Sequence, residues 1–306
     1  MAYHYLAFGI PIISEIELPA LLPTKEKQNN LKPLYVKVGI VPAELSGATQ
    51  ADEFTYCTEN ETICSIPGKI KFYISNSDTV IIEPVAPDYS ANLLYFYSNG
   101  LAAALYQRNL IPFHVSGVFV EEGKVALFAA PSRTGKSTLA LKLRELGFKP
   151  FTDDTAILSV ENGKCYAQAS YPMMRLWQNT LSQQALLGDE DKQKIYAEAE
   201  IDKYGFSFHE QFTSEAVEVK QILFLKEEGS EIQVQPVKNV DAFVALSNNV
   251  YRCHWVPAMQ KSRLQFFLIT RILEVVPHIL VKRPRGLNSF EQFPLAVKNI
   301  LQIDSK

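Results

Sequence analysis

Nowhere in this 306-residue chain does an apolar run approach the roughly 20 residues that a helix needs to cross a bilayer. No membrane partner is therefore expected. Cysteine is scarce: Cys57, Cys64, Cys165 and Cys253 have neither paired C-x-x-C spacing nor a His/Cys cluster of zinc type. Free thiols are expected, rather than a disulfide framework or a structural metal. The opening Met1-Ala2-Tyr3-His4-Tyr5-Leu6-Ala7-Phe8-Gly9 lacks the basic segment, long apolar run and cleavage site of a secretory signal, which predicts a cytoplasmic protein. An excess of one charge is missing too. Thirty Lys and Arg against 33 Asp and Glu give a formal charge of -3, so nothing draws the chain to nucleic acid in general. The cluster Lys282-Arg283-Pro284-Arg285 reads as a solvated loop, with a site for an acidic partner as the alternative.

With 47% apolar residues, the chain can bury a substantial core, and its length exceeds one ordinary domain. We expect an α+β amino-terminal domain over residues 1–108 and an ATP-binding catalytic domain over residues 109–306. Extended segments are predicted at Leu34–Ile40, Ile70–Ile74 and Thr79–Ile82. Pro67-Gly68 and Asn76-Ser77-Asp78 supply turns between them. Helical spacing covers Asn92–Gln107, and Ile111–Val120 is extended again. Further on, helices are predicted at Gln178–Leu187, Glu190–Ala199, Ala258–Leu273 and Phe290–Ile303. Gln221–Leu225 and Glu231–Gln235 read as a hairpin, and Ile279–Val281 as a strand. Lys25–Asn30 and Gly188–Lys194 offer little to bury and are expected to be loops.

The strongest local signal is Ala130-Pro131-Ser132-Arg133-Thr134-Gly135-Lys136-Ser137-Thr138. It fits the phosphate-loop pattern G-x-x-x-x-G-K-[ST], with Ala130 in place of the first glycine. The apolar run Val125–Ala129 enters it as a buried strand. Leu139, Leu143 and Leu146 leave it on one helical face, with Gly147 as the cap. Backbone N–H groups and the helix amino end would then converge on phosphate oxygens. Lys136 would meet the β- and γ-phosphates of ATP and Ser137 would hold Mg2+. If the first position required positive φ, Ala130 would be strained. Asp153-Asp154, one helix and one strand further on, places two carboxylates where the chain returns beside that loop. Expected at the end of a strand, they would point to opposite faces.

The block His114-Val115-Ser116-Gly117-Val118-Phe119-Val120, then Lys124–Phe128, the phosphate loop, Leu139-Ala140-Leu141-Lys142-Leu143, Gly147-Phe148 and Thr152-Asp153-Asp154, resembles the catalytic core of HPr kinase and its diverged relatives. The likeness covers about residues 110–160. It extends more faintly to Tyr171-Pro172-Met173-Met174-Arg175-Leu176-Trp177. It implies an α/β P-loop kinase core of the HPr kinase/phosphoenolpyruvate carboxykinase type. It also implies a serine phosphotransferase with Asp153 as general base, Asp154 at the metal and His114 near the phosphate or the base. The opening Ala7-Phe8-Gly9-Ile10 with Ser14–Leu21 resembles HPr-kinase-related proteins found beside peptide-modifying enzymes, including kinases of lasso-peptide precursors.

Two departures argue against a bifunctional HPr kinase/phosphorylase. Thr138 stands where that enzyme has glutamate, and Pro277–Asn288 only loosely matches its Pro-Gly-Arg-Asn signature. The expected partner is a peptide or small protein bearing serine, with a homo-oligomer left open. An HPr-like carrier protein, a free small-molecule hydroxyl and a non-enzymatic nucleotide-binding scaffold are the alternatives. Arg133, Arg175 and Arg252 are candidates for further phosphate contacts.

Overall fold

A computed structural model describes residues 2–25, 31–85, 90–132, 134–177, 193–194, 203–284 and 291–303. The architecture is mixed α/β. Strands β1 (Tyr3–Ala7), β2 (Ile10–Ser14), β3 (Leu22–Pro23), β4 (Leu34–Val38) and β5 (Thr49–Asp52) are followed by β6 (Thr55–Cys57), β7 (Glu61–Ile66), β8 (Ile70–Ser75) and β9 (Thr79–Pro84). They form one sheet in the order β3-β1-β2-β4-β9-β8-β7-β6-β5. Both expected turns are present: Gly68, Asn76 and Ser77 all take positive φ, and Ser75 pairs with Thr79 across the second turn. Residues 90–107 are helical, but not as one α-helix. A 3-10 turn, the short α1 (Leu93–Tyr95), a π-helical turn (Phe96–Gly100) and α2 (Leu101–Gln107) follow one another.

The second sheet contains β10 (Pro112–Phe113), β11 (Val115–Glu121), β12 (Lys124–Ala129), β13 (Pro150–Thr152), β14 (Ala156–Glu161) and β15 (Lys164–Ala169). Strands β16 (Met173–Trp177), β17 (Gln193–Lys194) and β18 (Lys203–Ser207) make a small separate sheet. Strands β19 (Val217–Glu227), β20 (Gln233–Pro236) and β21 (His278–Arg283) return to the second sheet. There β12 lies antiparallel to β11 and parallel to β19.

Every residue from Val125 to Ala129 is fully buried, because both faces of β12 are covered. Val125, Leu127 and Ala129 enter the large core that also takes in the first sheet and α2. Ala126 and Phe128, with Ala130 beyond them, enter a smaller core with Leu139, Leu143, Val297 and Leu301. The alternation is the two-residue period of a strand. The helix α3 (Lys136–Glu145) and the closing helix Gln292–Ile303 therefore cover one face. α3 ends in a Schellman motif: Gly147 has φ +95, its N–H donates to Arg144 O at 3.0 Å, and Phe148 N–H donates to Leu143 O at 3.0 Å.

Several expectations are corrected. Gln221–Leu225 and Glu231–Gln235 do not form a hairpin. β21 lies between β19 and β20, parallel to the first and antiparallel to the second, so a sequence-distant strand captures both edges. The helix expected over Ala258–Leu273 is two helices, Trp255–Ala258 and Ser262–Val275, broken where Gln260 takes φ +58. Lys282 and Arg283 are strand residues paired with Glu228 and Glu227 rather than a solvated loop; Arg285 lies outside the described residues. So does the helix expected over 178–187, along with most of 190–199. Within the latter, Gln193 and Lys194 pair with β18 as a strand. The loop residues 26–30 and 188–192 also lie outside. The four cysteines are free thiols.

His278 on β21 is almost fully buried, stacks on Phe224 with ring centroids 6.0 Å apart, and has a buried Nε2 that meets no acceptor or donor among the described residues. Burial pushes its pKa down to about 4 from 6.5. The unfolded chain binds that proton first, so stability is complete above pH 6.5 and declines as pH falls toward 4. The loss should reach about 3 kcal/mol at the lower end. Urea unfolding between these limits should show it, and His278→Phe should flatten the slope.

Candidate functional site

The buried strand β12 delivers Ala130 at its carboxyl end, and the chain must then turn before α3 begins at Lys136. Gly135 makes the entry with φ 96° and ψ 22°, a left-handed conformation that favours glycine. Ala130 is not among the residues with positive φ, so alanine is accommodated there without that strain. Pro131 O accepts from Thr134 N at 3.3 Å, tightening the loop. Lys136 Nζ donates to Ala130 O at 2.6 Å and contacts Pro131 O at 3.4 Å. The ammonium thus folds back over the carbonyls of its own loop. Ser137 and Thr138 occupy the first turn of α3, which has no acidic residue and no side-chain cap on Gly135. Such an end carries the positive pole of the helix. Ser132 is exposed, and Arg133 lies outside the described residues.

The two carboxylates do not sit on a strand. β13 ends at Thr152 and β14 starts at Ala156, and between them Thr155 N donates to Asp153 O at 3.0 Å around Asp154 with φ +74. This three-residue turn with positive φ is rare and strained. It, rather than strand alternation, separates the side chains. Asp153 is buried and accepts from Ser116 Oγ at 2.6 Å. Asp154 retains partial exposure, its side chain being 15% accessible.

His114 stands between β10 and β11, two residues before Ser116, so one strand edge serves both aspartates. Its Nδ1 lies 2.9 Å from the carbonyl oxygen of Asp154. A carbonyl only accepts, so Nδ1 carries the proton and Nε2 bears the lone pair. Burial lowers the pKa of His114, opposed by the charge of Asp154 and reinforced by Lys136. The ring is neutral near pH 7, and its 3.8 Å approach to Asp154 Oδ1 is not a full ion pair there.

Ala130, Pro131 and Ser132 of the loop share one cleft of about 400 Å³ with His114, Asp154 and Arg252, whereas Lys136, Ser137 and Thr138 are not among its lining residues. Asp153 is not on that wall. Arg175 lies on β16. Sequence reasoning missed three supports. Ser116, at i+2 from His114 on one face, was legible from strand periodicity. Arg283 Nη2 reaches Thr134 O at 3.4 Å while pairing with Glu227 at 3.1 Å. Asn249 O accepts from His114 N at 2.6 Å. The last two join residues more than a hundred positions apart and had no local signal. Among the described residues no group of three or more His, Cys, Asp or Glu is placed to hold a metal. Ser137 and Asp154 by themselves would offer an ion two oxygens, so an ion held by them would need phosphate and water oxygens as well.

No family model matches the chain, and no curated protein sequence matches it. Among solved structures it is similar to the Hpr(Ser) kinase/phosphatase from Coxiella burnetii, with 11% identity and a TM-score of 0.31 over 62% of this chain and 93% of that one. A likeness of that degree fixes neither activity nor substrate. No described helix is long and apolar enough to cross a membrane.

The turn at Asp154 makes a direct prediction. Asp154→Gly should be more stable than Asp154→Ala by about 1 kcal/mol, because both delete the carboxylate and only alanine resists positive φ. Paired urea titrations measure the difference, and equal midpoints would show that the turn relaxes.

Proposed function

We propose that the chain is an ATP-dependent kinase that transfers phosphate to a serine hydroxyl of a peptide, in the manner of HPr-kinase-like enzymes. The observation that carries this reading is the single cleft shared by Ala130–Ser132 of the motif loop, His114 and Asp154. A loop that only bound nucleotide would need no carboxylate beside it. In this reading residues 109–306 form the catalytic domain, and residues 1–108 form an amino-terminal domain that frames it.

Ser132, Arg133, Thr134, Gly135 and Thr138 would surround the ATP phosphates with backbone N–H groups. Lys136 would exchange its carbonyl partners, Ala130 and Pro131, for the β- and γ-phosphates. Ser137 and Asp154 would hold the magnesium ion, which neutralises charge on the departing nucleotide. Asp153 would take the proton as the serine oxygen bonds to the γ-phosphorus and the bond to the bridging oxygen of ADP breaks, a step that requires the turn at Asp154 to open, since Asp153 is buried behind the cleft wall. Ser116 holds Asp153 for that step through the 2.6 Å bond. His114, neutral and fixed by the Asp154 carbonyl, would present Nε2 toward the reacting groups. A ribosomally made, lasso-type precursor is the acceptor we favour, in the cytoplasm.

Magnesium-ATP should raise the melting temperature, with a gain of about 2.7 kcal/mol at a hundredfold excess over Kd. Lys136→Ala should remove most of it. An unchanged melting temperature for the wild type would sink the nucleotide site. Asp153→Asn should keep nucleotide binding while lowering transfer to a serine peptide by about 10²- to 10⁴-fold. Mass spectrometry of the peptide, with an HPr-like carrier as competitor, reads the transfer. Asp154→Asn should instead be partly rescued by added magnesium, and the reverse pattern would exchange the two roles. Phosphate on the carrier alone would replace the peptide as acceptor.

A further inference from the structure

The wall of the cleft on the His114 side carries a cation that forms no ion pair among the described residues. Arg252 lines the same cleft as Ala130–Ser132 and Asp154. Its backbone takes φ +56. Its guanidinium lies 5.5 Å from the ring centroid of Tyr251 and 5.7 Å from that of Trp255. Nη2 donates to Asn99 Oδ1, while the buried Nε–H meets no acceptor among the described residues. No carboxylate among the described residues forms an ion pair with it, although a partly buried charge ordinarily finds one. The aromatic faces and Asn99 therefore fix the direction of a guanidinium that no carboxylate among the described residues pairs.

The supports of Arg252 place it on the carboxylate side of the cleft. Tyr251 N donates to Pro112 O at 2.8 Å, and His114 N donates to Asn249 O at 2.6 Å. Tyr106 Oη donates to Tyr251 O at 2.6 Å. Asp52 Oδ2 accepts from Trp255 Nε1 at 2.7 Å and lies 3.5 Å from His254 Nε2, so that acid is committed to residues close to Arg252 in the chain. The segment is thus strapped to β10 and to His114, which follows it, whereas Lys136 and the amino end of α3 already stand at the motif loop.

We propose that Arg252 selects the phosphate acceptor by holding a carboxylate next to the hydroxyl that is phosphorylated, so that the acceptor is an acidic peptide. This rests on the kinase reading above. Arg252 is a specificity residue for the acceptor and not part of the nucleotide site.

The test uses short acetylated and amidated peptides in which one Ser is flanked by Glu or by Gln, with the full chain and saturating magnesium-ATP. The wild type should use the Glu peptide with a kcat/KM about tenfold or more above that for the Gln peptide, as expected for a charge-assisted contact. Arg252→Gln should erase the preference, and Arg252→Lys should keep part of it. Neither should change the Kd of magnesium-ATP as Lys136→Ala does. All three side chains meet the same constraint at positive φ, so differences in folding should be small, and matched melting temperatures check this. Equal use of the two peptides by the wild type would overturn the proposal, as would an Arg252→Gln variant that loses nucleotide binding. Calorimetry with unreactive peptides, Ala replacing Ser, separates this from the kinase reading. Tighter binding of the Glu form by the wild type, lost in Arg252→Gln, sustains the anion site even when no phosphate moves. Equal binding of both forms, or none, removes it.

Discussion

Two-sided burial of β12 is the constraint from which the site follows. A strand with Val125, Leu127 and Ala129 in one core and Ala126 and Phe128 in another has no solvent face. Chain reversal is possible only beyond Ala129. The loop at 130–135 is where the backbone first escapes, and its polar groups must be satisfied there. Lys136 does part of this by turning its ammonium onto the Ala130 carbonyl. The helix that follows must lie back on the sheet, which Leu139 and Leu143 accomplish by entering the smaller core. The position of the loop at the strand end is thus a consequence of how the sheet is covered.

The opposite side of the cleft is held by short bonds between distant segments. Ser116 to Asp153, His114 to the Asp154 carbonyl, and Asn249 O to the His114 amide tie three parts of the chain together. The strained turn at Asp154 persists because these bonds over-determine it. Low exposure and a depressed pKa keep His114 neutral, so its ring serves as a fixed acceptor rather than a second positive charge beside Lys136.

The amino-terminal residues are not a detached appendage. The large core runs continuously from β1 through α2 to β12 and the helix Ser262–Val275. Arg108 donates to the carbonyls of Ser77, Lys32 and Pro33 at 2.6, 2.8 and 3.1 Å, locking the end of α2 to the first sheet. Asn99 and Asp52, both from this part, hold Arg252 and Trp255. The shape of the cleft therefore depends on residues far from the motif loop.

By itself, the sequence determined those features whose causes are local. An unbroken apolar run made a doubly buried strand, Gly135 marked the left-handed entry to α3, and the leucines at i, i+4 and i+7 with Gly147 defined that helix and its end. Tertiary structure decided what depends on pairing across the chain. β21 took the place between β19 and β20 that a hairpin would have occupied, because a parallel partner more than fifty residues away leaves no mark in local periodicity. Likewise Asp153 and Asp154 were readable as a pair. Which one is buried against Ser116 and which lines the cleft was set by a turn whose positive φ Asp154 tolerates only under long-range hydrogen bonds.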